Sequence, residues 1–146
     1  MGVTLYHRLV LPAEANHHGT LYAGSLLRLA LEAGYATAYK HIGPQANLVL
    51  RRVLNLECLH PVPVGTVIEI EGTVLHRAQA YLITGLLGTP LKAGEGPWLE
   101  ALLGFTQVDE AGRAAGLPEG AGPATVPDSD TWGRLNERLH KLLHLR

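Results

Sequence analysis

The apolar positions of this chain follow two different periods. Between Leu26 and Ala38 they crowd most faces of a helix: Leu26, Leu27, Leu29, Ala30, Leu31, Ala33, Tyr35, Ala36 and Ala38 surround only two charges, Arg28 and Glu32. A helix that is apolar on most sides belongs inside a protein. A run of about thirteen residues is too short to cross a bilayer. The pattern therefore predicts a central helix over residues 23–41, stopped by Gly43-Pro44 and wrapped by the rest of the chain.

Elsewhere the period is two. Residues 3–11 read as a first strand closed by Pro12. Residues 48–59 read as a second, with Leu54, Leu56 and Cys58 on one face and Asn55 and Glu57 on the other. In residues 66–75, Ile68, Ile70 and Val74 share a buried face while Glu69 and Glu71 look toward water. A turn at 76–79 leads to a strand over 80–87, a Gly/Pro/Lys loop over 88–97, a last strand over 98–108 and a turn at 109–112. Strand, helix, then four strands able to pair as antiparallel neighbours make an α+β architecture, one long helix against a curved antiparallel sheet. Residues 1–118 form this domain and 119–127 a Pro/Gly-rich linker. Residues 128–146 form an amphipathic C-terminal helix in which Asp130 is the expected cap and Trp132, Leu135, Leu139 and Leu142 recur at helical spacing. That helix is expected to pack on its own domain or on a partner subunit.

Composition narrows the function classes. The 146 residues carry a formal net charge of -1 and no lysine or arginine run, so no nucleic-acid partner is expected. One cysteine, Cys58, excludes an internal disulfide and is expected as inert core. Tyr6, His7 and Arg8 interrupt the apolar run a signal peptide needs. A soluble, cytoplasmic protein without membrane contact is the expectation.

The candidate chemistry gathers where a polar turn meets the central helix, at Asn16-His17-His18-Gly19-Thr20-Leu21-Tyr22-Ala23-Gly24-Ser25. Ala23 and Gly24 carry almost no side chain, so a ligand can approach the backbone N–H groups of the first helical turn, where the helix dipole favours negative charge. An oxyanion or a polarised carbonyl would be held there. Ser25 is no nucleophile elbow, because Ala23 and Leu27 stand where that motif needs glycine. Glu137, His140 and His144 can share a helix face but match no standard metal spacing. No metal and no cofactor are expected.

The phrase Asn16 to Gly24, the helix segment Glu32-Ala33-Gly34-Tyr35, and Leu59-His60-Pro61-Val62-Pro63-Val64-Gly65, in this order, resemble the hotdog-fold acyl-CoA thioesterases, and among them the cytosolic acyl-CoA hydrolase branch. The resemblance implies a hotdog fold, acyl-CoA or CoA as ligand, and homodimers or homotetramers joined sheet edge to sheet edge. It implies an active site at the dimer interface, where a thioester carbonyl meets the helix N-terminus and a carboxylate acts as base or nucleophile. By that resemblance Ala23 and Asn16 belong to the catalytic site, and His18, Thr20, Gly24, Arg77 and Gln79 to the substrate site. Ala23 stands at the first glycine of the family's Gly-Gly pair, and alanine keeps the N–H.

The family carboxylate falls on Leu31, which can be neither base nor nucleophile. Glu32 is the neighbouring candidate, turned about 100° around the helix. Either Glu32 reaches the site through a local shift, or the chemistry rests elsewhere, or the protein binds without hydrolysing. Against a catalytic Glu32 stands an i,i+4 pair with Arg28. Glu57 is a second carboxylate, on the polar face of its strand. Arg51, Arg52 and Arg77 can clamp CoA phosphates through their planar guanidinium forks, or can be solvated surface arginines. In relatives a Gly-Arg-Thr-Ser turn lies near the CoA, and here Arg77-Ala78-Gln79-Ala80 takes its place.

Overall fold

A computed structural model of the chain describes residues 3–118 and 122–144; the expected domain start, the first linker residues and the last two residues of the expected C-terminal helix lie outside that range. Five strands, β1 (Thr4–Leu9), β2 (Leu48–Cys58), β3 (Val67–Arg77), β4 (Tyr81–Gly88) and β5 (Leu99–Gln107), form one sheet in the order β1-β3-β4-β5-β2. Every neighbouring pair is antiparallel. Helix α1 (Ala23–Ile42) packs on one face of the sheet and α2 (Asp130–His144) on the other. This is the hotdog arrangement, with a second helix covering the outer face.

Strand periodicity builds both cores at once. On β4, Leu82 and Leu86 join the α1 core while Ile83 and Leu87 join the α2 core, because successive side chains point to opposite faces. Small residues let α1 lie close to the sheet. A Cβ on Gly72 of β3 would sit 2.1 Å from the Thr37 hydroxyl, and one on Gly34 would sit 2.5 Å from a Leu103 methyl. Thr37 is itself buried, and its hydroxyl donates to the Ala33 carbonyl at 2.7 Å, so this polar group costs little in the core.

The structure corrects the sequence reading in five places. Leu54 and Leu56 do not share a face: Leu54 packs in the α2 core and Leu56 in the α1 core. The cause is a β-bulge between Val53 and Asn55, where the register against β5 shifts by one residue. Cys58, at the end of that strand, is exposed. Glu71 is half-covered instead of facing water, since Trp132 of α2 donates its indole N–H to Glu71 Oε1 at 3.3 Å. The cap of α2 is Ser129, whose Oγ accepts the Trp132 N–H at 3.2 Å, and Asp130 is the first helical residue. Finally, Glu32 forms ion-pair and hydrogen-bond contacts with β1 and none with Arg28.

Candidate functional site

The turn before α1 is built by Asn16. Its side-chain Oδ1 accepts from the His18 N–H at 2.9 Å, the Thr20 N–H at 3.2 Å and the Thr20 hydroxyl at 3.2 Å, an arrangement that suits asparagine in turns. Gly19 supplies the left-handed backbone the turn requires, with φ of 75°. The turn is then stapled to the segment before β3, through Leu21 N–H to Val62 O at 2.8 Å and Val64 N–H to Gly19 O at 3.0 Å. Tyr22 N–H is spent on the Glu14 carbonyl at 2.9 Å. The His17 and His18 rings lie against each other, 3.8 Å between centroids, on the outside of the turn.

Helix α1 therefore begins in a fixed frame but with its donors open. Its N-cap is Tyr22, in extended geometry, with no side-chain capping bond. The first intrahelical bond is Leu26 N–H to Tyr22 O. Among the described residues, the N–H groups of Ala23, Gly24 and Ser25 have no partner, and Ala23 and Gly24 are exposed. Most helices satisfy one of these donors with a Ser, Thr, Asp or Asn cap. Here three aligned donors at the positive end of the helix dipole are left open by the described residues, two of them on exposed residues, a site suited to an anion or to an oxygen acquiring negative charge. Tyr22 flanks them: a Cβ on Gly24 would fall 2.2 Å from its hydroxyl.

Glu32 stands nine residues further, about 13 Å along the helix axis. Tyr6 donates its hydroxyl to Glu32 Oε2 at 3.0 Å, and Arg8 approaches the same oxygen at 3.8 Å while also pairing with Glu14. Oε1 has no partner among the described residues, and the side chain is about half exposed, at 48%. Burial, and then the bond to the Glu32 carboxylate, holds the Tyr6 hydroxyl above its ordinary pKa. Tyr6, Arg8 and Glu14 were not singled out from the sequence. Their signal was the period of two on β1, which turns Tyr6 and Arg8 to the same side. Leu31, next to Glu32, is half-buried against the α1 core.

The remaining candidates separate. Asn16, His18, Thr20, Ala23 and Gly24 come together at the start of α1. Arg77 ends β3 at the other end of the helix, where it donates to the Gly122 carbonyl at 3.0 Å, and His41 meets the same oxygen at 2.7 Å. Gln79 is exposed in the turn that follows β3. Within one chain neither reaches the open donors, which lie about 27 Å of helix away from His41. Glu57 pairs with Arg138 of α2. A cavity of about 550 Å³ also lies toward the far end of α1, lined in part by Thr37, Lys40, His41 and Gly72. Among the described residues no group of three His, Cys, Asp or Glu could hold a metal ion, and no helix is long and apolar enough to cross a membrane.

Residues 18–85, from His18 through α1, β2 and β3 into β4, match the model of the thioesterase superfamily. Among solved structures the chain is similar to an apo-hexameric acyl-CoA thioesterase, with TM-score 0.74, 27% identity, and coverage of 97% of this chain and 88% of the other. It is similar in fold to an acyl-CoA hydrolase from Staphylococcus aureus in complex with butyryl-CoA, CoA and CoA disulfide, with TM-score 0.77, 20% identity, and coverage of 99% and 83%. A hexameric thioesterase from Yersinia pestis matches with TM-score 0.70, 24% identity, and coverage of 81% and 97%. No curated protein matches the chain.

Proposed function

We propose that this chain, whose residues 18–85 match the model of the thioesterase superfamily, is a member of that superfamily and hydrolyses acyl-CoA thioesters to free acid and CoA. The observation that carries the reading is the row of three unpartnered backbone N–H groups at Ala23, Gly24 and Ser25, inside the matching segment. Water adds to the thioester carbonyl carbon and the carbonyl oxygen becomes an oxyanion, which these donors stabilise. The tetrahedral intermediate then expels the CoA sulfur, and the proton lost by the water passes to the leaving thiolate. Glu32 is the proposed base for that proton. Tyr6 and Arg8 anchor its Oε2, leaving Oε1 free.

Because Glu32 is about 13 Å from the donors of its own chain, it can serve only the α1 start of a second copy. Exposed apolar side chains offer such an interface: Val49, Leu50 and Val53 on the outer strand β2, and Leu27, Tyr35 and Tyr39 on α1. A dimer or a tetramer with a shared site is part of the proposal. Light scattering tests it, and a strictly monomeric active protein overturns the shared site.

Thiol release from a panel of acyl-CoAs tests the activity. If the protein turns over no faster than its Glu32→Ala variant at every chain length, Glu32 is not the base. One observation favours a second reading, a module that binds CoA or an acyl group without chemistry: Leu31, onto which the resemblance to the family puts the carboxylate, is packed on the core. Calorimetry showing CoA binding without turnover selects that reading.

A further inference from the structure

Strand β2 carries two arginines in succession, and the fold gathers both around one recess. The register against β5 runs Leu50 to Phe105 and then Arg52 to Gly104, so Arg51 is the extra residue of a β-bulge. A bulge sets two consecutive residues against one partner position, and in this case the partner is a glycine. Arg52 Cγ lies 3.4 Å from where a Gly104 Cβ would be. The missing side chain leaves a recess of about 150 Å³ lined by Arg51, Arg52, Tyr81 and Gly104. It opens on the α2 face of the sheet, since Gly104 lies two residues from Leu102 and Tyr81 two from Ile83, both in the α2 core.

Neither Arg51 nor Arg52 has a hydrogen-bond or carboxylate partner among the described residues. The carboxylates that form ion pairs in this structure reach Arg8, Arg138, His7 or His60 instead. Two adjacent guanidinium groups repel each other until an anion sits between them. Their planar forks match the oxygens of phosphate in pairs, and the glycine floor lets such a group approach the strand. We propose that this recess is a binding site for a phosphate or diphosphate group, with Arg51 and Arg52 as its ligands and Tyr81 as its wall.

The group can come from CoA, which rests on the hydrolase reading above, or from a separate phosphorylated ligand. Calorimetry with inorganic pyrophosphate, with CoA and with pantetheine, which lacks the nucleotide phosphates, separates the two without requiring turnover. Pyrophosphate is expected to bind, more weakly as salt is raised, and Arg51→Ala/Arg52→Ala should weaken it about 10- to 100-fold. The double lysine variant, which keeps the charges and loses the forks, should fall between. Gly104→Ala narrows the floor with both arginines intact and should weaken binding several-fold. Melting temperatures of all variants check that they fold.

If the double alanine variant weakens CoA but not pantetheine, the site belongs to the substrate. With active protein, this should raise KM for acyl-CoA while leaving kcat and acyl-pantetheine hydrolysis unchanged. If pyrophosphate binds and is lost in the variant while CoA is unaffected, the site is separate and the phosphate assignment stands. Failure of pyrophosphate and CoA to bind, or equal binding to a folded variant, overturns the proposal even if hydrolysis is confirmed. A protein that hydrolyses nothing yet loses CoA in the variant overturns the hydrolase reading and leaves the site standing.

Discussion

The two ends of α1 are treated in opposite ways by the same chain. At the C-terminal end the Gly43 N–H returns to the Tyr39 carbonyl at 2.7 Å, with Gly43 at φ 97°. Lys40 complements the dipole in the last turn. The His41 ring and Arg77 together hold the Gly122 carbonyl, so the connector toward α2 is strapped against this end. At the N-terminal end the framing turn is equally well bonded through Asn16, but the frame stops short of the helix donors and the cap position carries Tyr22. One end is completed by the protein and the other is left with its donors open. A charge-stabilising site needs that asymmetry, because donors already bonded to the chain have nothing left for a reacting oxygen.

The most direct way to break the comparison is to delete one open donor without disturbing the helix. Ala23→Pro does this. Proline fits the first helical position, where its absent N–H breaks no intrahelical bond. Tyr22 already has the extended geometry, φ -89° and ψ 156°, that a residue before proline prefers. Turnover should fall about 100- to 1000-fold, the usual cost of removing one oxyanion donor, with the melting temperature nearly unchanged. A variant as active as the parent would mean that the Ala23 N–H does not meet the reacting oxygen.

A substitution farther along the helix should do the reverse. In Gly72→Ala the new methyl meets Thr37, whose hydroxyl would be only 2.1 Å away and whose Cβ only 3.2 Å away. Thr37 is buried and bonded to Ala33, so it cannot swing clear without losing that bond. A loss of about 1 to 3 kcal/mol is expected from overpacking, measured by urea denaturation. The folded fraction should keep its turnover. A large loss of activity at full stability would show that the two ends are coupled.

These contrasts also mark what could be read from the sequence. The fold was legible because Leu26 to Ala38 has one period and the strands another, although pairing interrupts the pattern within β2. The open donors were legible too, since Ala23 and Gly24 announce a bare helix start. The bulges in β2 were not: Leu54 and Leu56 alternate on paper, and only pairing with β5 reveals the slipped register. The partners of Glu32 were hidden for a related reason. Arg28 is one turn away in sequence, whereas Tyr6 and Arg8 reach Glu32 only after β1 has docked beside α1. The separation of Arg77 from Ala23 likewise follows from the direction of β3 past the helix, which local pattern does not encode.

Filling the cap position should sharpen the asymmetry with a smaller effect. Tyr22→Ser places an acceptor oxygen where a helix N-cap normally has one, and should raise stability by about 1 kcal/mol. The new hydroxyl would accept from the Gly24 or Ser25 N–H and compete with the ligand, so turnover should fall as the melting temperature rises. That opposed pair of changes is the signature of donors kept open for function. If stability and turnover rose together, the bare start of α1 would be no more than an uncapped helix.

The smallest expected effect lies at the completed end and depends on pH. Burial, with a further push from the Arg77 charge, holds His41 below its ordinary pKa, outweighing the raising effect of its bond to Gly122. The unfolded chain therefore takes up this proton more readily than the folded protein. The stability tied to His41 is full above about pH 6.5, declines as pH falls from there toward the lowered folded value, and levels off below it. His41→Gln keeps an N–H able to reach the Gly122 carbonyl but does not titrate. Melting curves from pH 7.5 to 5 should fall more steeply for the parent than for this variant. His76 is depressed by burial in the same direction and is common to both proteins, so it drops out of the difference. Parallel curves would remove His41 as the group that ties the connector's hold to pH. If the proposed site is right, turnover per folded molecule should be equal in the two proteins, because His41 lies about 27 Å of helix from the open donors.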